Sequence, residues 1–259
     1  MKRYIALLLT ALVALVSCQR EELDPVGKVP AGQPVDLVLS FGAKDALTME
    51  VGTKATLNVA AETKVYNMYV YIFGPDKKKI YNHYFDYTNV GEGNGADWWT
   101  VNNGNTSTEG KLHIRTISQS NCRLYGISNI DADMVNISPE LLATVQTEDE
   151  LKAMVSTLNQ NIVHRSGYFP MSGSLDIPDT GNLAALNDRL ALKRLDAKVT
   201  FKVSVAEGSK IQSFTPLKWQ VFNVPCDSYI VPNTVDSDKA YFNTAKMNYE
   251  TKDGSIHGF

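Results

Sequence analysis

The sequence predicts an all-β fold with one covering helix. Apolar and polar residues alternate along several short runs of the 259-residue chain, which is the pattern of half-buried strands. Glycine, proline and asparagine separate these runs and supply turns. One segment instead combines helix-capping residues with an apolar stripe at helical spacing.

The first predicted strand follows a proline-containing stretch. Its alternate apolar residues are Val35, Leu37, Leu39 and Phe41. The residues between them are Asp36, Val38 and Ser40. We therefore expect one face of this strand to enter a hydrophobic core. A short run with Leu57 and Val59 follows it.

The next strand, residues 65–73, is apolar on both faces, which is typical of a central strand. Gly74 to Lys77 supply a turn with proline at its first central position, and residues 79–86 return as the partner strand. The hairpin tip carries Lys77, Lys78 and Lys79, which we interpret as a solvated turn rather than a binding patch.

Further strands follow at intervals along the chain. Leu112 and Ile114 belong to one, and residues 122–127 form the next. The alternation of residues 198–205 predicts an antiparallel strand with one face in water. Residues 217–224 form the last clear strand, and Pro225 should end it because proline cannot donate to the ladder.

The predicted helix lies between these strands. Ser138 and Pro139 provide an N-cap and a first helical proline, and Thr147 with Glu150 forms a capping box. The helical stripe then consists of Leu151, Met154, Val155 and Leu158. We expect this stripe to cover a face or edge of the sheet.

Residues 1–17 are typical of a cleaved export signal. Lys2 and Arg3 precede a short apolar run, and Ser17 precedes Cys18. This pattern resembles a bacterial lipoprotein box, which predicts acyl chains on Cys18 and a membrane anchor. The alternative is an ordinary secretory signal in which Cys18 is incidental. Residues 18–34, rich in proline and glycine, are predicted to form a flexible tether.

The residues that remain set the domain organisation. About 240 residues suit one large domain or one and a part. We assign residues 35–225 to a β-sandwich domain and residues 226–259 to an incomplete second domain or an extension. With Cys18 lipidated, Cys122 and Cys226 form either one disulfide or none.

Composition and motifs exclude several function classes. A net charge of −3 with dispersed basic residues argues against nucleic-acid binding. The four histidines, His83, His113, His164 and His257, lack metal-ligand or triad spacing. The acidic residues Asp131 and Asp133 begin like a calcium loop but lack its glycine and closing glutamate. No cofactor is predicted, and an enzyme is not supported.

Trp98 and Trp99 lie in a glycine- and asparagine-rich stretch, residues 89–109, that we interpret as a loop. Exposed tryptophans could stack on sugar rings or anchor a partner protein. The favoured interpretation is that at least one of them folds back onto the sandwich, because large aromatic side chains are highly buried on average.

Several segments resemble the Bacteroidales fimbrillin superfamily. Residues 170–173 match its Pro-Met-Ser-Gly turn, and residues 192–199 match its Leu-x-Arg-x-x-Ala-Lys-Val strand start. Residues 223–225 match its Asn-Val-Pro strand end, and residues 125–129 match its Tyr-x-Ile-Ala-Asn strand. The likeness spans residues 35–225, and the order of the segments carries it.

The resemblance implies transthyretin-like antiparallel β-sandwiches, exported as lipoproteins to the outer membrane and assembled into surface pili for cell adhesion. In that family an arginine-specific protease removes the first strand, and a donor strand of a neighbouring subunit fills the groove. In this sequence the corresponding first-strand residues would either leave the groove or stay in it. They are Val35, Leu37, Leu39 and Phe41. The expected partners are other fimbrial subunits and a host or glycan ligand.

The sequence departs from the family pattern in its cleavage site. No arginine lies between Arg20 and Arg115, so Lys54 is the candidate cleavage residue after the first strand. Because anchor subunits of the family stay uncut and lipidated, an anchor role gains weight. The alternative function is a surface glycan-binding lipoprotein that uses Trp98 and Trp99. An exported hydrolase is the third class, without a catalytic constellation in the sequence.

Overall fold

A computed structural model of the chain describes residues 28–43, 63–93, 95–103, 106–130, 134–158, 168–182, 189–195, 204–213, 218–225, 227–233 and 244–250. The export signal, Cys18, Lys54 and Cys226 lie outside these residues, as do Asp131, Asp133, the run with Leu57 and Val59, and most of the strand predicted at 198–205. Within the described ranges, no helix has the length and hydropathy of a membrane span.

The described part of the chain is mostly strand. Its strands are β1 Pro34–Ala43, β2 Met68–Phe73, β3 Lys79–Phe85, β4 Trp98–Asn103, β5 Thr106–Ile117, β6 Ser120–Ser128, β7 Met134–Val135, β8 Val155–Leu158, β9 Met171–Asp179, β10 Arg189–Arg194, β11 Lys218–Pro225, β12 Asp227–Tyr229 and β13 Thr244–Glu250. Its helices are α1 Pro139–Thr144 and α2 Glu148–Ala153, with a 3-10 turn over Tyr87–Asn89. The predicted all-β class is therefore confirmed.

Eight strands form one sheet in the order β3-β2-β6-β9-β10-β1-β5-β4. Neighbouring strands are antiparallel except β1 and β10, which run parallel. β1 therefore lies beside a strand that comes much later in the chain. A three-stranded sheet, β12-β8-β7, and the pair β11-β13 complete the described topology.

The large sheet curls around one hydrophobic core. β3 and β4 stand at opposite ends of its strand order, yet the rings of Phe85 and Trp99 lie 6.2 Å apart. Between them, buried residues from both halves of the sheet form a single cluster, including Leu39, Ile72 and Leu190. The sheet thus makes both layers of a sandwich.

A second cluster forms on the outer face of β2 and β6. Tyr71, Phe73 and Tyr125 meet Leu142 of α1 and Leu151 of α2 there. The Tyr71 hydroxyl also donates a 2.6 Å hydrogen bond to the Leu142 carbonyl, which satisfies its buried polar end. β2 is consequently buried on both faces, as predicted for a central strand, and the helical segment covers the sheet as expected.

The predicted helix is shorter than its apolar stripe suggested. α2 starts at the Thr147 capping box but ends at Ala153, and Met154 already has an extended ψ of 134°. Val155 and Leu158 instead belong to β8, which pairs with β7 and β12. The prediction of helix through residue 158 was wrong, because pairing on both sides of β8 outweighs a helical spacing of apolar residues.

Two other expectations need correction. Met171 to Gly173, matched above to a turn, begin β9 and pair with residues 126–128 of β6. The stretch at residues 89–109, interpreted as a loop, contains β4 and the first residues of β5. In both places pairing with a neighbouring strand determines the conformation, although nearby glycines suggested a turn or a loop.

Residues 227–231, close after Pro225, pack against β8 and the second cluster. β12 pairs with β8, and Ile230 and Val231 are fully buried in the second cluster. Cys122 is a buried free thiol, and burial raises its pKa to about 11. Ile230 and Val231 therefore add to the packing around α1 and α2.

Asn129 connects three segments beneath the sheet. It follows β6 with a positive φ of 60°, a conformation that asparagine tolerates better than most residues. Its side chain accepts from the Tyr66 amide and donates to the carbonyls of Lys64 and Phe169. The asparagine of the Tyr-x-Ile-Ala-Asn resemblance therefore has a structural role here.

Glu148 joins α2 to β6 through a buried ionic network. Its Oε1 accepts from the Tyr125 hydroxyl at 2.6 Å and lies 2.7 Å from Lys152 Nζ, with an Arg123 nitrogen at 3.8 Å. Burial opposes ionisation of Glu148, but the hydrogen bonds from Lys152 and Tyr125 lower its pKa below the usual value. The carboxylate is therefore stabilised in its charged form.

We expect Glu148→Gln to lower the free energy of unfolding by about 2 kcal/mol at pH 7, because it removes the buried, charged acceptor of the Tyr125 hydroxyl and of Lys152. The matched control is Asp149→Asn, since the Asp149 pair with Lys77 is exposed on both sides and should contribute under about 0.5 kcal/mol. Urea unfolding of both variants measures the difference.

The pH dependence of this difference has a definite sign. A carboxyl whose pKa is lower in the folded state stabilises fully above its unfolded pKa of about 4.3 and loses that contribution as pH falls through the folded value. The gap between wild type and Glu148→Gln should therefore narrow below about pH 4. A gap that is constant between pH 7 and pH 3 would contradict the ionic role.

Candidate assembly groove

The first strand occupies an interior position in the sheet, with a neighbour on each side. β1 pairs antiparallel with β5 from Pro34 opposite Ile117 to Gly42 opposite Glu109. On its other side it pairs in parallel with β10, from Ser40 opposite Arg189 to Ala43 opposite Leu192. Its position means that taking β1 away would leave a groove between β5 and β10.

The inner face of β1 is fully apolar and buried. Val35, Leu37, Leu39 and Phe41 all point into the core and are at most 5% exposed. Burial of each such side chain contributes roughly 1.5–3 kcal/mol. The predicted alternation of this strand is thus present in the structure, and its four apolar side chains fill the groove.

The floor and walls of the groove come from strands later in the sequence. Opposite the four apolar residues of β1, β5 presents Thr116, Ile114, Leu112 and Gly110. β10 contributes the buried Leu190 and Leu192. Sequence reasoning missed these β10 residues and Gly110, although the alternation of residues 189–192 was readable as a strand.

The Phe41 end of the groove is closed by an aromatic wall. The Trp99 ring stacks on Phe41 with centroids 5.8 Å apart, and its Nε1 donates a 2.9 Å hydrogen bond to the Asp86 carbonyl. A Cβ added at Gly110 would lie 2.7 Å from Phe41 Cζ and would also collide with the Thr100 carbonyl. The absent side chain of Gly110 therefore makes room for the Phe41 ring.

The outer face of β1 carries the exposed Val38 and a charged pair with β5. Asp36 Oδ1 lies 2.9 Å from Arg115 Nε on β5, directly across the strands. Farther along, Arg189 of β10 lies 3.5 Å from Glu109 of β5. These exposed pairs fix register more than they add stability.

The last residues of the predicted tether are bound to the domain. The Val29 amide donates to the Gly181 carbonyl at 2.9 Å, and the Gly32 amide donates to Ser118 at 2.7 Å. Lys28 also lies 3.4 Å from Asp179. The chain is therefore attached to one end of the sandwich before β1 begins.

The structure separates the two tryptophans. Trp99 is fully buried against Phe41 and Phe85, so it is not accessible to a ligand. Trp98 is half-buried on the opposite face of β4 and stacks on His113 with centroids 3.4 Å apart. The paired platform required by the glycan-binding alternative is absent, because neighbouring residues of a strand point to opposite faces.

The three lysines of the β2–β3 hairpin contact different partners. Lys77 Nζ lies 3.0 Å from Asp149 of α2, and Lys79 Nζ donates to the Ala143 carbonyl at 3.2 Å. Lys78 lies 4.0 Å from Asp76 within the turn. The lysines contact the helical segment and the turn itself, and do not combine into one patch.

Titratable groups do not gather into a catalytic centre in the described ranges. No group of three or more His, Cys, Asp or Glu residues there could hold a metal ion. His83 Nδ1 lies 3.9 Å from Asp97, but burial lowers the pKa of His83. The groove itself offers apolar side chains and backbone groups, which suit a polypeptide strand.

Solved structures with a similar fold exist. A candidate cell adhesion protein from Parabacteroides distasonis has a TM-score of 0.53 at 13% identity, over 86% of this chain and 65% of its own. A fimbrial assembly protein from the same species has 0.49 at 19% identity, over 85% and 72%. A fimbrilin from Porphyromonas gingivalis has 0.45 at 16% identity, over 78% and 53%. No protein-family model and no curated protein matches the chain.

The likeness to the candidate adhesion protein concerns the fold alone, because identity is only 13%. This chain spans slightly less than two thirds of that protein's length. The chain therefore has the sandwich-like fold of this candidate adhesion protein.

Replacing Leu39 with Asp should prevent stable folding, because it places a charge in the fully buried centre of the groove. The matched control is Ser40→Asp on the exposed face of the same strand, which should unfold within about 1 kcal/mol of wild type. Thermal unfolding followed by circular dichroism compares them. Equal melting temperatures for both variants would contradict the position assigned to β1.

Proposed function

We propose that the chain is a non-enzymatic subunit or anchor of a surface fimbrium, held at the outer membrane through Cys18 and joined to other subunits by strand addition. The observation that carries this proposal is the position of β1, whose inner face is apolar and which pairs with β5 on one side and β10 on the other. The sequence resemblance to fimbrillins and the shared fold support it.

Strand addition suits the physics of this groove. Without β1, the facing ladder groups of β5 and β10 would lose their hydrogen bonds and an apolar slot would open. A strand from another subunit could restore both interactions at once, which is the β-augmentation mode of recognition. The inserted strand would then join two neighbouring subunits, and the sheet would keep the same number of strands.

The position of Lys54 suggests how β1 would be released. Lys54 lies between β1, which ends at Ala43, and β2, which starts at Met68, and a cut there would separate β1 from the rest of the domain. An uncut chain would instead keep β1 in its groove and serve as a lipidated anchor. The proposal therefore has two forms, which differ in the mature N-terminus.

Mass spectrometry of the N-terminus distinguishes these forms. A cleaved, polymerised subunit should begin at Ala55 in filaments sheared from cells, and Lys54→Gln should abolish that product. Lys64→Gln is the matched control, because the Lys64 carbonyl accepts from Asn129 within the folded domain, and it should leave cleavage unchanged. An anchor should keep an acylated Cys18 in the washed outer-membrane fraction of cells.

The lipid anchor is tested separately with Cys18→Ala. This variant should lose the acylated N-terminus and leave the outer-membrane fraction, because single-residue loss removes all acyl chains. Cys226→Ala, which lacks the signal context, should stay with the membrane. Membrane retention of the Cys18→Ala variant would contradict the lipid anchor. Absence of the wild-type protein from filaments and from their attachment sites would contradict the fimbrial role.

A further inference from the structure

The side chains that face β1 from β5 change size along the groove. Thr116, Ile114, Leu112 and Gly110 stand opposite Val35, Leu37, Leu39 and Phe41 in that order. The largest side chain of β1 therefore lies opposite the position with no side chain. The Phe41 ring thus takes space that a side chain at position 110 would otherwise need, as close packing of a core requires.

The aromatic end of the groove is built by elements other than β1. Trp99 belongs to β4, its Nε1 is held by the Asp86 carbonyl, and its ring also lies 6.2 Å from Phe85 of β3. Gly110 belongs to β5. Because none of these contacts depends on β1, the pocket has its own support when another strand takes the place of β1.

We propose that the groove selects its donor strand by this pocket. The donor is a strand of another fimbrial subunit that runs in the direction of β1 and carries three aliphatic residues at alternate positions followed by an aromatic one. The aromatic ring occupies the Phe41 position, between Trp99 and Gly110. This inference rests on the proposed function and adds the identity and direction of the strand.

The difference between Thr116 at one end of the groove and Gly110 at the other determines the direction of the donor. A strand inserted in reverse would place its aromatic ring opposite Thr116 and a smaller aliphatic side chain opposite Gly110. The first placement overfills the core, and the second leaves a cavity beside Trp99. It would also lose the ring stacking with Trp99, which adds to area burial. Both effects favour the direction that β1 has.

Peptide exchange into the full chain tests this selection. A specific protease site is introduced at residue 54 of the full-length protein, the chain is cut once, and β1 is exchanged by unfolding and refolding with labelled peptides. The reference peptide has the sequence of residues 34–43. The test peptide exchanges two residues, Leu37→Phe and Phe41→Leu, so composition and direction are unchanged. The control peptide carries Ser40→Ala on the exposed face.

The test peptide should bind about 100-fold more weakly than the reference peptide, because one position is overfilled and another left partly empty. The control peptide should bind within about threefold of the reference. A second test peptide exchanges Val35→Phe and Phe41→Val, which places at the two ends of the groove the side chains that reverse insertion would place there, and it should also bind about 100-fold more weakly. Binding of either exchanged peptide that equals binding of the reference peptide would overturn the selection.

The same experiment separates the two proposals. If the reference peptide does not bind, strand addition fails and the selection fails with it. If the reference peptide binds but the exchanged peptide binds equally well, strand addition stands and only the selection is overturned. As a second measurement, the Leu37→Phe and Phe41→Leu exchange in the intact chain should lower Tm by several degrees, whereas Ser40→Ala should not. An unchanged Tm for the exchange would also contradict the pocket.

Discussion

The burial of β1 between β5 and β10 is the interaction on which the sandwich depends. In the strand order of the described sheet, β10 and β1 lie between β2, β6 and β9 on one side and β5 and β4 on the other. Hydrogen-bonded pairing between the two halves of the sheet therefore passes through β1. The four inner side chains of β1 contribute together an amount of the order of the stability of a whole domain. An empty groove is therefore a state that the isolated chain does not populate to any measurable extent.

This energetic cost constrains any assembly by strand exchange. A cut between β1 and β2 would not by itself release β1, since its pairs with β5 and its buried side chains would remain. A donor strand must therefore replace the same contacts as β1 leaves. The second cluster around Tyr71 and the ionic network of Glu148 hold β2, β6 and the helices together on the far face of the sheet. That face does not include β1 and would keep its structure during exchange.

Local patterns predicted much of the fold, and long-range pairing explains what they missed. Alternation identified β1, and the two apolar faces identified β2 as central, because both signals arise from residues within one strand. The apolar stripe from Leu151 to Leu158 predicted a helix that is too long, because Val155 and Leu158 belong to β8, which pairs with strands from two other parts of the chain. In the groove, the alternating apolar residues of β1 could be predicted from the sequence. The contacts of Gly110 and Trp99 with Phe41 could not, because they depend on the register of β5 and on the curl of the sheet.

A covalent lock on β1 tests the central claim most directly. Ser40 and Lys111 stand opposite each other on β1 and β5, and directly opposed residues of antiparallel strands have Cα atoms close enough for a disulfide. The double variant Ser40→Cys and Lys111→Cys, once oxidised, should fold normally but accept no donor strand and stay out of filaments. The reduced protein should enter filaments as wild type does. Incorporation of the oxidised protein at the wild-type level would contradict an exchangeable first strand.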